Sequence, residues 1–342
     1  MSRRNTRFSR FGSVFRKRRR EGAEDDTDDT DESGESENQG NESGEPAYTE
    51  EEEVMPPPLL EGEMPTFFHI GILAKECLIH GYKIGAWHLS TLSKTNKDID
   101  LSSFARAKPD CDTILGGIGT RYKLGPLFLT HDWQTDNIVG TKVGILNKAA
   151  GGQILALLRG SYGIDNDDGF KLEGRFGFER SPLKTEIIAP IYNLPKLMGY
   201  VLAQPLDNWV LAYRAVYDVD NMGFDKHAVC VGYTNGDTEV GLKYENFQDL
   251  RGSLFQRLGE KWAVALKANL YGEGEKKFAV GGQYRINDTA LVKAKIRQDC
   301  HFGLVYQIKL AMSTEILYHF GFNAKDPING PHKLGVSWNF KG

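Results

Sequence analysis

Between residues 262 and 310, apolar and polar positions take turns along the chain. Trp262, Val264, Leu266, Ala268 and Leu270 alternate with Ala263, Ala265, Lys267, Asn269 and Tyr271. Phe278, Val280, Gly282, Tyr284 and Ile286 alternate with Lys277, Gly281, Gln283 and Arg285. Val292, Ala294 and Ile296 alternate with Lys293, Lys295 and Arg297, and Phe302, Leu304, Tyr306, Ile308 and Leu310 continue the pattern. The chain ends in the same way, with Leu334, Val336, Trp338 and Phe340 set against Lys333, Gly335, Ser337 and Asn339. A period of two marks strands with one greasy and one wet face. Turn signals separate them: Gly272-Glu273-Gly274, Asn287-Asp288, Lys325-Asp326-Pro327 and Asn329-Gly330-Pro331. The pattern predicts a meander of antiparallel hairpins.

Strand character begins at about Ala86, and residues 86–342 have room for roughly nineteen strands of about 10 residues plus a turn each. A sandwich and a closed barrel are the two ways to handle the edges. The strand number favours the barrel, because an open sheet that wide is unusual. Such a barrel has a lumen too wide for side chains to fill. One row of positions carries Lys, Arg, Gln, Asn and Ser, so it reads as water-lined. The other row must then face lipid. The expected fold class is all-β, a transmembrane antiparallel barrel.

The stretch before Ala86 differs. Over Thr66–Ile79, TFFHIGILAKECLI, the residues Phe67, Ile70, Leu73, Cys77 and Leu78 fall at helical spacing, and Thr66 is a capping residue. Gly81 and Gly85 bracket the next five residues and stop the helix. Ahead of it lie Pro56, Pro57 and Pro58, a stiff linker.

Charge divides the chain again. Residues 1–63 hold nine basic and eighteen acidic residues, whereas 64–342 hold 33 basic and 28 acidic. The formal −4 is therefore an acidic extension on a mildly basic body. Residues 21–53 have almost nothing apolar and read as disordered. Residues 1–20 are Arg-rich and free of acids, like a mitochondrial targeting peptide. The run Arg16–Arg20 also reads as a nuclear signal or an RNA-binding patch, and a plain basic tail is the third reading. Cys77, Cys111, Cys230 and Cys300 are far apart and form no CxxC, so reduced thiols fit better than a zinc ribbon or disulfide scaffold. No apolar run approaches the ~18 residues of a membrane helix, and no signal-peptide core follows the basic start. Neither observation bears on a barrel, whose strands are only half apolar.

Enzyme signatures are absent. Gly117-x-Gly119 is followed by no third glycine and reads as a strand feature. Asp165-Asn166-Asp167-Asp168-Gly169 places its glycine one position too early for a calcium loop and reads as a polar hairpin turn. The histidines form no HExxH. No catalysis, metal, cofactor or nucleic-acid partner is expected. Lys267, Lys293, Lys295 and Arg297 share the inward row, which suggests a positive lumen wall that attracts anions. Scattered charge satisfied by neighbouring acids is the plainer alternative.

Residues 64–342 resemble the voltage-dependent anion channel family of mitochondrial porins, most strongly over 201–342. The likeness is carried by WQTDNIVGTKV at 133–143, by the block from Gly241-Leu242-Lys243 to Gly281-Gly282-Gln283-Tyr284, and by His332-Lys333-Leu334-Gly335. The resemblance implies a nineteen-strand barrel, the number general for this channel. It also implies a helix at about 66–80 lying in the pore on a hinge at Gly81–Gly85. Lys75 and Glu76 match the family's basic–acidic pair. Ile72 and His80 stand where lysines are usual, and Lys83 replaces a hinge glycine. Weaker anion preference at the constriction follows. Gly152-Gln153-Ile154 replaces a Gly-Leu-Lys motif, and His131 aligns with a lipid-facing glutamate of some members. The last strand matches the family's barrel-targeting signal at Lys333, Gly335, Trp338 and Phe340. It must also pair with the first strand, since no backbone edge can face hydrocarbon, and its two aromatic rings suit an interfacial girdle.

The implied function is a voltage-dependent, anion-selective diffusion pore for ions and small metabolites in the mitochondrial outer membrane. Its implied partners are membrane lipid, small anions with nucleotides among them, the barrel assembly machinery and, in a homo-oligomer, further copies of itself. A protein-translocase pore of the same membrane and a non-conducting scaffold are the alternatives. A soluble barrel is the last rival.

Overall fold

The computed structural model describes residues 55–56, 63–95, 99–108, 114–149, 151–163, 169–272 and 277–342. The chain divides into two units, Met1–Val54 and Met55–Gly342, and the barrel is the second. The expectations for the extension, Pro57 and Pro58, Cys111, the loop 165–168 and Glu273-Gly274 fall outside the described residues.

A short 3-10 turn, Phe67–His69, precedes one α-helix, α1 (Ile72–Leu78). The strands are β1 (Trp87–Lys94), β2 (Ile99–Ala107), β3 (Ile114–Leu124), β4 (Leu127–Gln134), β5 (Ile138–Ala149), β6 (Gly152–Gly163), β7 (Phe170–Arg180), β8 (Leu183–Tyr192), β9 (Lys196–Leu206) and β10 (Trp209–Asp218). They continue with β11 (Gly223–Asn235), β12 (Thr238–Glu245), β13 (Asp249–Leu258), β14 (Trp262–Tyr271), β15 (Phe278–Arg285), β16 (Ala290–Arg297), β17 (His301–Ala311), β18 (Thr314–Asn323) and β19 (Lys333–Lys341). Each strand pairs with its sequence neighbour, so one nineteen-stranded sheet forms. An odd number of alternating strands brings the two ends together pointing the same way. Accordingly β1 and β19 pair in parallel, from Trp87↔Val336 to Leu92↔Lys341, and this pairing closes the barrel. Closure removes the edges that hydrocarbon cannot solvate.

Strands of 8 to 13 residues match the roughly 9–11 tilted residues that span a bilayer core. The turns follow from their residues. Asn287 Oδ1 accepts the backbone N–H groups of Thr289 and Ala290, which folds the β15–β16 connection back on itself. Asp326 Oδ1 does the same for the Asn329 N–H before β19.

The alternation separates the two faces. Trp262, Val264, Leu266 and Leu270 are exposed on the outside, while Ala263 and Ala265 are buried under α1. Exposed apolar side chains in a continuous outer band are what a lipid-facing wall requires. At the closing seam Trp338 meets Trp87 edge to face, with ring centroids 6.3 Å apart. Trp338 thus joins the last strand to the first, and Phe340 is exposed on the same row.

Candidate pore lining and docked helix

The expected helix over 66–79 is broken in two. Thr66 Oγ1 lies 2.6 Å from His69 Nδ1 and closes the 3-10 turn. Gly71 then adopts a left-handed backbone, φ +74°, before α1 begins. Its sequence spacing looks helical, but the wall decides otherwise. A Cβ at Gly71 would stand 2.6 Å from Ser253 Oγ on β13 and would sit on a left-handed backbone, and glycine avoids both. The helical face is split accordingly. Phe67 packs on Tyr200, Leu202, Ala212, Ala228 and Cys230 of β9–β11, whereas Ala74, Cys77 and Leu78 pack on Phe255, Ala263 and Ala265 of β13 and β14.

The whole segment from Glu63 to Ala86 lies as a belt on the inner wall. It starts at β7 and β8, where the Met64 N–H donates to Glu179 Oε1 at 2.8 Å and Lys184 Nζ donates to the Met64 carbonyl and to Glu63, both at 2.9 Å. Arg214 of β10 sits over the rings of Phe67 and Phe68, 5.0 and 5.6 Å from their centroids. The belt ends at β19, where a Cβ on Gly335 would meet the Lys83 and Ala86 carbonyl oxygens at 2.5 and 2.7 Å.

Charges of both signs hold α1. At its start the buried Glu239 carboxylate of β12 accepts three backbone N–H groups, from Ile72 at 3.1 Å, Leu73 at 2.6 Å and Ala74 at 3.4 Å. At its end Lys293 Nζ donates to the Glu76 carbonyl at 2.7 Å and the His80 carbonyl at 3.3 Å, and Lys295 Nζ donates to the Leu78 carbonyl at 2.7 Å. An anion at the N-terminus and cations at the C-terminus complement the helix dipole and satisfy the end groups that a helix leaves unpaired. Lys295 also stacks over the Tyr82 ring, 4.1 Å from its centroid.

The other expected residues fall into place around this dock. Lys75 Nζ donates to the Phe68 carbonyl at 3.2 Å. Burial, then the neighbouring ammoniums of Lys267 and Lys243, lower its pKa to about 8, with Cys230 and Glu239 opposing. Gly81 and Gly85 both have left-handed backbones, φ +95° and +72°, and bend the belt between α1 and β1. Lys333 passes close to Gly85. Arg297 pairs with Asp299 at 2.7 Å. Of the four basic residues expected to line the open wall, Lys293 and Lys295 hold the helix, Arg297 is held by an acid, and Lys267 faces Lys75. His131 lies on the outer row, where its Nδ1 is 3.0 Å from Thr141 Oγ1.

The belt's contacts run from β7 to β19, which leaves the arc β1–β6 facing the lumen. Register identifies the inward row there. Ser337, buried on the inner side, pairs with His88, and His88 with Arg106. Followed from strand to strand, the row on β1–β6 carries Lys94, Arg106, Arg121, Lys123, Lys142, Lys148 and Arg159 against Asp100 and Asp132. Among the described residues this row holds seven basic and two acidic side chains, and at its edge Arg159 pairs with Glu173 of β7 at 2.9 Å. Sequence reading missed this arc and Glu239. Alternation carries the signal for both, since Val240, Leu242 and Tyr244 on the outer row of β12 put Glu239 inward.

A eukaryotic porin family model matches residues 63–335. The chain belongs to the eukaryotic porin family. Among curated relatives of this porin, the voltage-dependent anion-selective channel of Drosophila melanogaster is 26% identical over 279 residues, covering 80% of this chain and 97% of the relative. The non-selective voltage-gated ion channel VDAC1 of Homo sapiens is 22% identical over 286 residues, covering 81% and 98%. An engineered Rhodopseudomonas blastica porin is a more distant structural neighbour, 10% identical with a TM-score of 0.46 over 70% of this chain and 98% of its own. The porin family is one of channels, not of enzymes, and this porin is a membrane-embedded barrel.

Proposed function

We propose that this porin is a voltage-dependent, anion-preferring diffusion pore for ions and small metabolites across the mitochondrial outer membrane. The observation that carries the reading is the open arc β1–β6, whose inward row holds seven basic and two acidic residues. A wide water-filled lumen with an excess of fixed positive charge concentrates anions and depletes cations. The docked belt narrows the lumen from the opposite side. The name of the Drosophila relative, a voltage-dependent anion-selective channel, supports the same reading. On this reading the pore performs no catalysis. Small anions, nucleotides among them, pass along the arc, the outer row contacts lipid, and the assembly machinery reads β19 through Lys333, Gly335, Trp338 and Phe340.

The test is single-channel recording of the refolded chain in a planar bilayer, with and without residues 1–63. Discrete, stable pores whose current closes at raised voltage of either sign support the reading. Folded barrels that never conduct overturn it in favour of a scaffold. Current blocked by cationic presequence peptides, with little small-anion flux, favours a translocase pore.

A further inference from the structure

The constriction on this reading is only as well defined as the position of α1. Seven residues cannot hold a helix together alone, so its place depends on the wall. The apolar contacts of Ala74, Cys77 and Leu78 with Phe255, Ala263 and Ala265 hold one face of α1 to the wall, but they do not satisfy its end groups. Direction and register need polar contacts. At the C-terminal end Lys293 and Lys295 share three carbonyls, so either can compensate in part for the other. At the N-terminal end a single side chain, Glu239, receives all three N–H groups.

Glu239 is only 4% exposed, so water cannot replace it while the helix stays in place. Lys75 of α1 lies within electrostatic reach of the carboxylate and favours its charge, whereas Glu76 of the same helix opposes it, so the three N–H groups are its main partners. We propose that Glu239 is the positioning residue of the pore helix, a latch whose carboxylate fixes α1 on the wall and so sets the constriction. The proposal depends on the pore reading only for what the constriction does; the docking itself is independent of conduction.

Cys77 is a built-in reporter. It is fully buried between α1 and the wall, whereas Cys300 in the β16–β17 turn is partly exposed. In the full-length refolded protein, maleimide labelling followed by peptide mass spectrometry gives the Cys77-to-Cys300 ratio of rates. Glu239→Gln keeps the shape, loses the charge and turns an NH2 group toward N–H donors. It is expected to raise the ratio roughly tenfold, in line with the value of an anion at a partly buried helix start. Glu239→Asp keeps the charge at shorter reach and is expected to fall between. A Glu239→Gln ratio within twofold of wild type, in protein with an unchanged barrel circular dichroism spectrum, overturns the latch. If Glu239→Gln does not fold, Glu239→Asp decides by the same ratio, a wild-type value overturning the proposal. Labelling reads the latch even in a barrel that conducts nothing, so failure of the latch and failure of the pore reading are separate results.

Discussion

Replacing Gly335 by alanine should loosen the hinge without opening the barrel. Gly335 pairs with His319 on β18 and lies under the belt, where the Lys83 and Ala86 carbonyls approach its Cα. A methyl group there would sit 2.5 and 2.7 Å from those oxygens, and 3.2 Å from the Ala86 nitrogen. All three are backbone atoms, so no side-chain rotation relieves the clash. Relief needs the belt to lift by about 0.7 Å or more, judged against carbon–oxygen contact distances, and overpacking of this kind costs about 1–3 kcal/mol. The β18–β19 and β1–β19 ladders keep their pairing, because alanine supplies the same backbone groups, and the one strand bond put at risk is that from the Val336 N–H to the Ala86 carbonyl, 3.2 Å. The strain therefore falls on residues 83–86, and the population with the hinge lifted should rise on the order of 10- to 100-fold. Lys83 is a trypsin site inside that segment, and when opening and closing are fast, cleavage tracks the open population. The assay is limited trypsinolysis of the refolded protein in detergent, scored by the fragment that begins at Ile84. Cleavage at Lys83 within twofold of wild type, in a folded Gly335→Ala barrel, refutes the reasoning. A barrel that fails to close would also refute it, since β19 pairing is predicted to survive.

Two further outcomes follow from the same geometry. Because burial and the Lys267 and Lys243 charges lower the Lys75 pKa to about 8, its ammonium is present at pH 7 and largely gone at pH 9. Anion preference should therefore fall as pH rises through 8, and the Lys75→Met variant should show little of that change when reversal potentials are compared at pH 7 and 9. At the seam, the Trp87–Trp338 pair, 6.3 Å between centroids, should show a coupling energy of about 1 kcal/mol in a double-mutant cycle of alanine variants, measured by urea unfolding from lipid vesicles; zero coupling would mean that the rings merely share the interface.

Most of the barrel was legible because a strand's period is local. Trp262 to Leu270 and Leu334 to Phe340 declare their outward faces by alternation, and the pairing of β19 with β1 follows from the intolerance of hydrocarbon for an open edge. The belt was legible only in part. Thr66–Ile79 has helical spacing, yet the chain breaks at Gly71, where it passes close to Ser253, and the apolar spacing does not contain that meeting. Lys293 and Lys295 lie on the inward row, but the row says nothing of what lies across from them, and helix carbonyls take up their ammonium groups. Glu239 was hidden for the same reason. Its parity is readable, but its meeting with the first turn of α1 is a tertiary fact. The basic arc was overlooked because β1–β6 alternate less cleanly, with Gly117, Gly119, Gly140 and Gly144 interrupting the inward row.

The most direct test of the account is the reversal potential of single pores under a KCl gradient, wild type against the triple variant Arg121→Glu, Lys123→Glu and Lys142→Glu. These three lie on the open arc, away from the belt, and their reversal takes the described inward row of β1–β6 from five net positive charges to one net negative. The account predicts an anion-side potential for the wild type and a potential at or beyond zero toward cations for the variant. A wild-type potential on the cation side, or a variant whose potential stays with the wild type's, would contradict it.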